Sequence, residues 1–401
     1  MAVSAPKASR TTEASPATEA SRSSATGTGP SPTGTGPSPA RHGAFHRLTV
    51  TDVERLTDDA VALTLAVPQE LRDRYLHAPG QHLTLRRTAP EGDEVRRTYS
   101  ICSPAPAADG PGPERLRVGV RLVEGGAFST FAHKEIAAGD ELDVMVPAGR
   151  FTLDPAAAPA DAHYAAIVGG SGITPVLSIA ATLLAARADA RFCLVRGDRS
   201  AASTMFLEDV ADLKDRYPDR FQLVTALSRE EQEAGLPSGR LDEARLTSLL
   251  PALVPVEEVT GWFLCGPYGL VEGAERALAT LGVARGRVHE EVFHVEDTAP
   301  QAPAPVSAPA HGRVTARLDG RSGTWPVQDG ESLLDAVLRA RADAPYACKG
   351  GVCGTCRAFL VRGEVRMERN FALEEEETDA GFVLACQSHA VTEEVEIDFD
   401  R

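Results

Sequence analysis

The stretch Cys348-Lys-Gly-Gly-Val-Cys353-Gly-Thr-Cys356, followed by Cys386 after 29 further residues, has the spacing C-x4-C-x2-C…C. Four thiolates at this spacing hold a [2Fe–2S] cluster. Iron bridged by sulfide needs soft thiolate donors, and a tight loop that supplies three of them wraps one edge of the cluster. Gly350, Gly351 and Gly354 lie between them. They let the backbone approach closely and aim N–H groups at sulfur. A zinc knuckle usually shows paired C-x2-C motifs, and this chain has one. A one-electron centre works only between a donor and an acceptor, so the rest of the chain is expected to carry an electron donor site.

Working upstream from the cysteines, residues 312–401 form the module that holds them, and 296–311, rich in Pro and Ala, read as a semi-extended linker. Before it, from 160 to 295, strand and helix patterns alternate. Strands are expected at Ala165–Val168, Arg191–Arg196, Phe221–Leu227 and Gly261–Cys265, with helices at Pro175–Ala186, Met205–Tyr217, Leu241–Leu250 and Leu270–Leu281. That alternation predicts an α/β domain with a parallel, doubly wound sheet. From 43 to 152 the pattern is β-rich, about six strands separated by polar turns such as Pro79-Gly80, which predicts a small antiparallel barrel. Residues 1–42, almost all Ala, Ser, Thr, Pro and Gly with TGTGPSP repeated in tandem, predict a disordered tail.

Three motifs lie on this framework. Gly169-Gly170-Ser171-Gly172-Ile173-Thr174-Pro175 stands at a strand-to-helix turn and departs from GxGxxG, with Pro175 where the third glycine would be. Glycines there free backbone N–H groups for a phosphate at the helix N-terminus, and proline suits a first helical turn. Cys265-Gly266-Pro267 follows the last expected strand. Arg97-Thr98-Tyr99-Ser100 lies on a barrel strand between Pro79-Gly-Gln-His-Leu83 and Gly125-Gly-Ala-Phe-Ser129. Each is weak alone: a tight turn, a small buried hydrophobe and an ordinary strand account for them.

Together the motifs resemble the ferredoxin–NADP reductase superfamily, and residues from Arg313 onward, with Pro345-Tyr346-Ala347 and Ala385-Cys386-Gln387 flanking the ligands, resemble plant-type ferredoxins. The resemblance implies an antiparallel barrel for FAD, a nicotinamide domain and a β-grasp ferredoxin domain. It gives Arg97 the FAD pyrophosphate, Tyr99 the isoalloxazine face and Ser100 its edge, with Ile101 and Phe128 in the same pocket and Gly126 and Ser129 on the pyrophosphate. A guanidinium matches phosphate oxygens and an aromatic ring stacks on flavin. This second phosphate-binding element favours FAD over FMN. By the same resemblance Gly170, Ser171, Gly172, Ile173, Thr174 and Pro175 bind the nicotinamide nucleotide, while Cys265, Gly266 and Pro267 lie near its ring. Tyr99, Ser100 and Cys265 are the implied catalytic residues. Arg199 and the Ser228-Arg229 pair favour NADPH, whereas Glu230 and Glu231 oppose a 2′-phosphate and leave NADH open.

The domain order, the runs GGSGITPVLSI (169–179), DLKDRYP (212–218) and SGRLD (238–242), and the ending DFD (398–400) resemble reductase components of bacterial multicomponent oxygenases, most of all the branch serving phenylacetate degradation. This implies a relay from NAD(P)H through FAD and the cluster to a separate diiron oxygenase complex. Reductases of Rieske-type or steroid hydroxylases share the wiring. A cluster-based redox sensor without turnover and a free-standing NAD(P)H oxidase or ferric reductase stay open.

Composition narrows the classes. A net charge of −16 argues against a nucleic-acid partner, which needs a basic face. Seven cysteines, four of them at cluster spacing, argue against a disulfide scaffold and for a reducing cytoplasmic setting. No apolar run reaches the ~20 residues of a membrane span, and no apolar secretory segment opens the chain. The run Glu374–Glu377 reads as a solvated face or helix start, with a docking patch as the alternative.

Overall fold

The computed structural model describes residues 2–5, 45–88, 94–107, 109–231, 238–294 and 312–401. The expected linker, 296–311, and most of the expected tail lie outside them.

The first module is a six-stranded antiparallel sheet. Its order is Glu94–Ser100, His82–Thr88, Glu141–Met145, Phe45–Thr57, Ala60–Ala66, Arg115–Arg121. A bridge between Ile101 and Val118 joins the two edges and closes the barrel. Alternation along the strands turns Leu48, Leu63, Leu83 and Val118 inward, and Phe128 from the helix Ala127–Lys134 enters the same core.

The second module is a five-stranded parallel sheet ordered Phe221–Leu227, Arg191–Asp198, His163–Gly169, Gly261–Pro267, Val288–His294. The order reverses between His163–Gly169 and Gly261–Pro267, so the two glycine motifs meet at the carboxyl ends of adjacent strands, where such sheets bind ligands. Helix Ile173–Ala186 is buried on nearly every side. It packs both on this sheet and on barrel-side residues Cys102, Phe151 and Leu153, which explains its largely apolar sequence, broken only by the small hydroxyl residues Thr174, Ser178 and Thr182. The final strand, Val288–His294, extends the expected alternation. Its adjacent glutamates depress β-propensity, and an edge strand tolerates them because it pairs on one side alone.

The third module wraps the mixed sheet Arg321–Pro326, Arg313–Leu318, Glu394–Asp398, Arg357–Arg362, Phe382–Leu384 around helix Leu333–Leu338, a β-grasp arrangement. Ser332 caps that helix by accepting from the Asp335 N–H. A second, three-stranded sheet is ordered Ala2–Ser4, Glu364–Met367, Ser388–Ala390. Residues 2–5 therefore depart from the structureless tail expected for 1–42. Composition describes the whole stretch, whereas Ala2-Val3-Ser4 carries its own strand pattern with Val3 inward.

The ferredoxin module is clasped against the others. Arg96, 4 % exposed, bonds Glu94 and the carbonyls of Ala342 and Ala344. Its guanidinium also lies over the rings of Tyr346 and Phe45. Arg285 pairs with Glu374 at 3.2 Å, and Arg150 pairs with Glu377 and donates to the Ala372 carbonyl. The run Glu374–Glu377 is thus the start of helix Glu375–Ala380, and its first and last members anchor the module.

Candidate functional site at the junction of the three modules

A cavity of about 620 Å³ lies where the modules meet. The barrel contributes Arg97, Tyr99, Ser100, Gly126, Phe128 and Ser129, and the parallel sheet contributes Gly170, Ser171, Thr174, Pro267 and Glu291. The ferredoxin module contributes Cys348, Val352 and Cys353. The size suits a cofactor site.

Strand alternation fixes the barrel side. Tyr99 and Arg97 share one face of Glu94–Ser100, two residues apart. The Tyr99 ring rests 5.4 Å from that of Phe128, and burial holds its hydroxyl well above the usual phenol range. The Arg97 guanidinium donates to the Arg96 carbonyl at 2.7 Å. The helix beginning at Ala127 points its first backbone N–H groups outward from Gly126. The Ser129 hydroxyl accepts from the Val123 N–H at 3.1 Å and donates to the Gly126 carbonyl. It braces this turn, so the turn's anion-binding capacity rests on backbone N–H groups. Ile101 is fully buried behind the site in the barrel core.

In the parallel-sheet module the glycines serve close packing. A β-carbon on Gly172 would meet the Cys265 carbonyl oxygen at 2.2 Å, and Gly266, at φ +145°, abuts Gly169. Gly170 adopts φ +55°. Ile173 and Pro175 are buried in the helix, and the Thr174 hydroxyl donates to the Ser171 carbonyl at 3.0 Å. Cys265 is completely buried, and burial pushes its thiol well above the usual range. It stands behind the cavity wall and is not a reactive thiolate. Arg199 pairs with Asp59 of the barrel at 2.6 Å. Ser228 and Arg229 extend the strand Phe221–Leu227, with Arg229 exposed. These three sit away from the cavity lining.

Sequence reasoning missed Glu291. It lies on the edge strand Val288–His294, where the Ser100 hydroxyl donates to its carboxyl oxygen at 3.4 Å. Burial raises its pKa to about 8. His82, 3.9 Å away, is held down to about 4 by burial. Both groups are uncharged at neutral pH, so the contact is not an ion pair. The glutamate pair Glu290-Glu291 in an apolar frame was the available signal.

The four cysteines expected to hold the cluster lie as two couples, Cys348 with Cys353 and Cys356 with Cys386. Among the described residues no three such donors surround a single point. Two couples of soft thiolate donors would fit a binuclear iron–sulfur cluster. The Gly350 N–H donates to the Cys348 sulfur at 3.3 Å, and Gln387 donates to the Cys386 sulfur and the Lys349 carbonyl. Lys349, Gly351 and Gly354 take positive φ, which bends the loop around its centre.

No helix among the described residues is long and apolar enough to cross a membrane.

Residues 316–391 match the 2Fe-2S iron-sulfur cluster binding domain and 166–276 the oxidoreductase NAD-binding domain. The chain is 44 % identical over 357 residues to a component of the 1,2-phenylacetyl-CoA epoxidase of Escherichia coli, covering 89 % of this chain and 98 % of that protein. It is 35 % identical to the ferredoxin reductase component of 3-ketosteroid-9-alpha-monooxygenase from Rhodococcus rhodochrous, covering 88 % and 96 %. Phthalate dioxygenase reductase has the same fold, with a TM-score of 0.54 at 24 % identity over 88 % of this chain and 98 % of that one. The chain therefore belongs to the NAD(P)H-dependent reductase components of multicomponent oxygenases, which carry FAD and a C-terminal [2Fe–2S] ferredoxin domain and deliver electrons to an oxygenase component.

Proposed function

We propose that this protein is the reductase component of a diiron oxygenase complex that epoxidises the ring of phenylacetyl-CoA. The observation that carries the reading is one cavity walled by Tyr99, Glu291 and Cys353, one residue from each module. Identity of 44 % over nearly the whole of the epoxidase component, against 35 % for the steroid enzyme, supports the acceptor.

Held by the barrel residues around Arg97 and Tyr99, FAD would supply the exchange of a hydride for single electrons, and a [2Fe–2S] cluster held by Cys348, Cys353, Cys356 and Cys386 would supply one-electron transfer. The chain's own residues supply position. Arg97 and the N–H groups after Gly126 offer charge and donors to a pyrophosphate. Tyr99 presents an aromatic face. Glu291 holds a proton at its carboxyl group because burial raises its pKa to about 8, while the hydrogen bond from the Ser100 hydroxyl orients the group and pulls its pKa the other way. Gly170 to Thr174 offer the helix N-terminus to the nucleotide, and Cys348 and Cys353 bring the exit site to the same cavity wall. Exposed Arg229 supports NADPH as the donor, and the reducing setting that thiolate ligation requires supports a cytosolic location.

The test is a coupled assay with purified oxygenase components. Epoxidation of phenylacetyl-CoA dependent on this protein, with NADPH consumed faster than NADH, is the expected result. Turnover with a steroid hydroxylase oxygenase and none with the diiron complex overturns the acceptor.

A further inference from the structure

The edge of the strand Glu364–Met367 is occupied by residues far away in the chain. Ala2, Val3 and Ser4 pair antiparallel with Arg366, Val365 and Glu364. The Ala5 N–H donates to the Gly363 carbonyl at 3.1 Å, and the Ser4 hydroxyl to Glu364 at 3.1 Å. Val3 is 5 % exposed and lies in the ferredoxin core with Val365, Met367 and Ala390. One inward apolar residue between outward polar or small ones is the pattern of strand addition to an open sheet edge.

The pairing leads to the cluster. On its other side the same strand pairs Val365 with Ala390 and Met367 with Ser388, two residues after Cys386. The Glu368 N–H donates to the Gln387 carbonyl, and the Leu384 N–H to the Met367 sulfur. Gln387 then bonds the Cys386 sulfur and the carbonyl of Lys349 in the three-cysteine loop. The added strand thus backs the shelf on which the fourth thiolate stands.

We infer that the Glu364–Met367 edge is a strand-addition site whose partner is this chain's own segment Ala2–Ser4, and that its occupation secures the cluster through Cys386. The inference rests on the reading of the four cysteines as cluster ligands. A free edge of this kind invites pairing with other chains, and the segment also closes it to them.

Full-length protein is compared with a deletion of residues 2–5 and with Val3→Asp, which sets a charge where Val3 is buried. Exchange of backbone amides in 364–367 follows local opening of the sheet, and both variants should exchange about tenfold faster there. Cluster absorbance under an iron chelator should fade faster by a similar factor, while ferricyanide reduction, which draws on the flavin, stays unchanged. A synthetic peptide of residues 1–8, added at about the millimolar level a tethered segment provides, should restore both rates in the deletion. Equal exchange in all three proteins overturns the inference, as does faster fading that the peptide does not reverse. Full-length protein without a cluster overturns the reading of the cysteines instead, and the exchange arm then decides the strand addition alone.

Discussion

The guanidinium of Arg96 lies 4.1 Å from the ring centroid of Tyr346, so the barrel grips the ferredoxin module two residues before Cys348, a proposed cluster ligand. Tyr346 also reaches back to Glu94, which bonds Arg96. A single buried arginine therefore couples the strand that carries Tyr99 to the loop that carries the cluster cysteines.

Arg96→Ala should loosen this docking by about 1.5–3 kcal/mol, the worth of hydrogen bonds from a charged donor. Cytochrome c reduction, which needs the cluster, should fall, while ferricyanide reduction should hold. Equal rates for both acceptors in the variant and the parent protein would remove Arg96 from the docking.

Glu291 makes a pH-dependent contribution to stability. Its folded pKa of about 8 lies above its ordinary value of 4.5. The contribution is complete below about pH 4.5 and is lost as the pH rises through about 8, because the folded state binds the extra proton. Glu291→Gln removes the ionisation, so urea unfolding of the variant between pH 5 and 9 should show a flatter profile than the parent protein. Parallel profiles would contradict the raised pKa.

Cys348→Ser replaces a soft ligand of one couple with a hard oxygen. The visible absorbance of the cluster and cytochrome c reduction should both be lost, with flavin content and ferricyanide reduction retained. Intact cytochrome c reduction would mean that electrons leave from the flavin.

Gly172→Ala would bring a β-carbon to 2.2 Å from the Cys265 carbonyl oxygen. Overpacking of this kind costs about 1–3 kcal/mol. The midpoint of chemical denaturation should fall, and the Michaelis constant for NAD(P)H should rise because the nucleotide loop must shift. Gly269→Ala, with open space around it in the helix Tyr268–Thr280, is the control: helix propensity favours Ala, so the midpoint should not fall and the Michaelis constant should not rise.

The proposed ligand set could be read from the chain because spacing carries it. Cys348, Cys353 and Cys356 share one loop, and only Cys386 had to be matched over a distance. The Arg97-Tyr99-Ser100 strand was legible through alternation, which places Arg97 and Tyr99 on one face. Arg199 and Cys265 were not legible in their local roles. The partner Asp59 that engages Arg199 comes from another module, and the burial that silences Cys265 comes from the stacking of two glycine turns. Ser129 was read as a phosphate ligand from its position, and its hydrogen bonds show it bracing a turn.

By itself the sequence determined three modules, the order of their cofactors and the spacing of the four cysteines proposed as ligands, since periodicity and spacing are properties of local chain. The tertiary structure alone decided that Glu291 meets Ser100, that Arg96 clasps Tyr346 and that Val3 enters the core beside Cys386. Each of these depends on which edges and faces pack together. Burial by distant residues sets a carboxyl's charge or closes a sheet edge, and no local pattern encodes it.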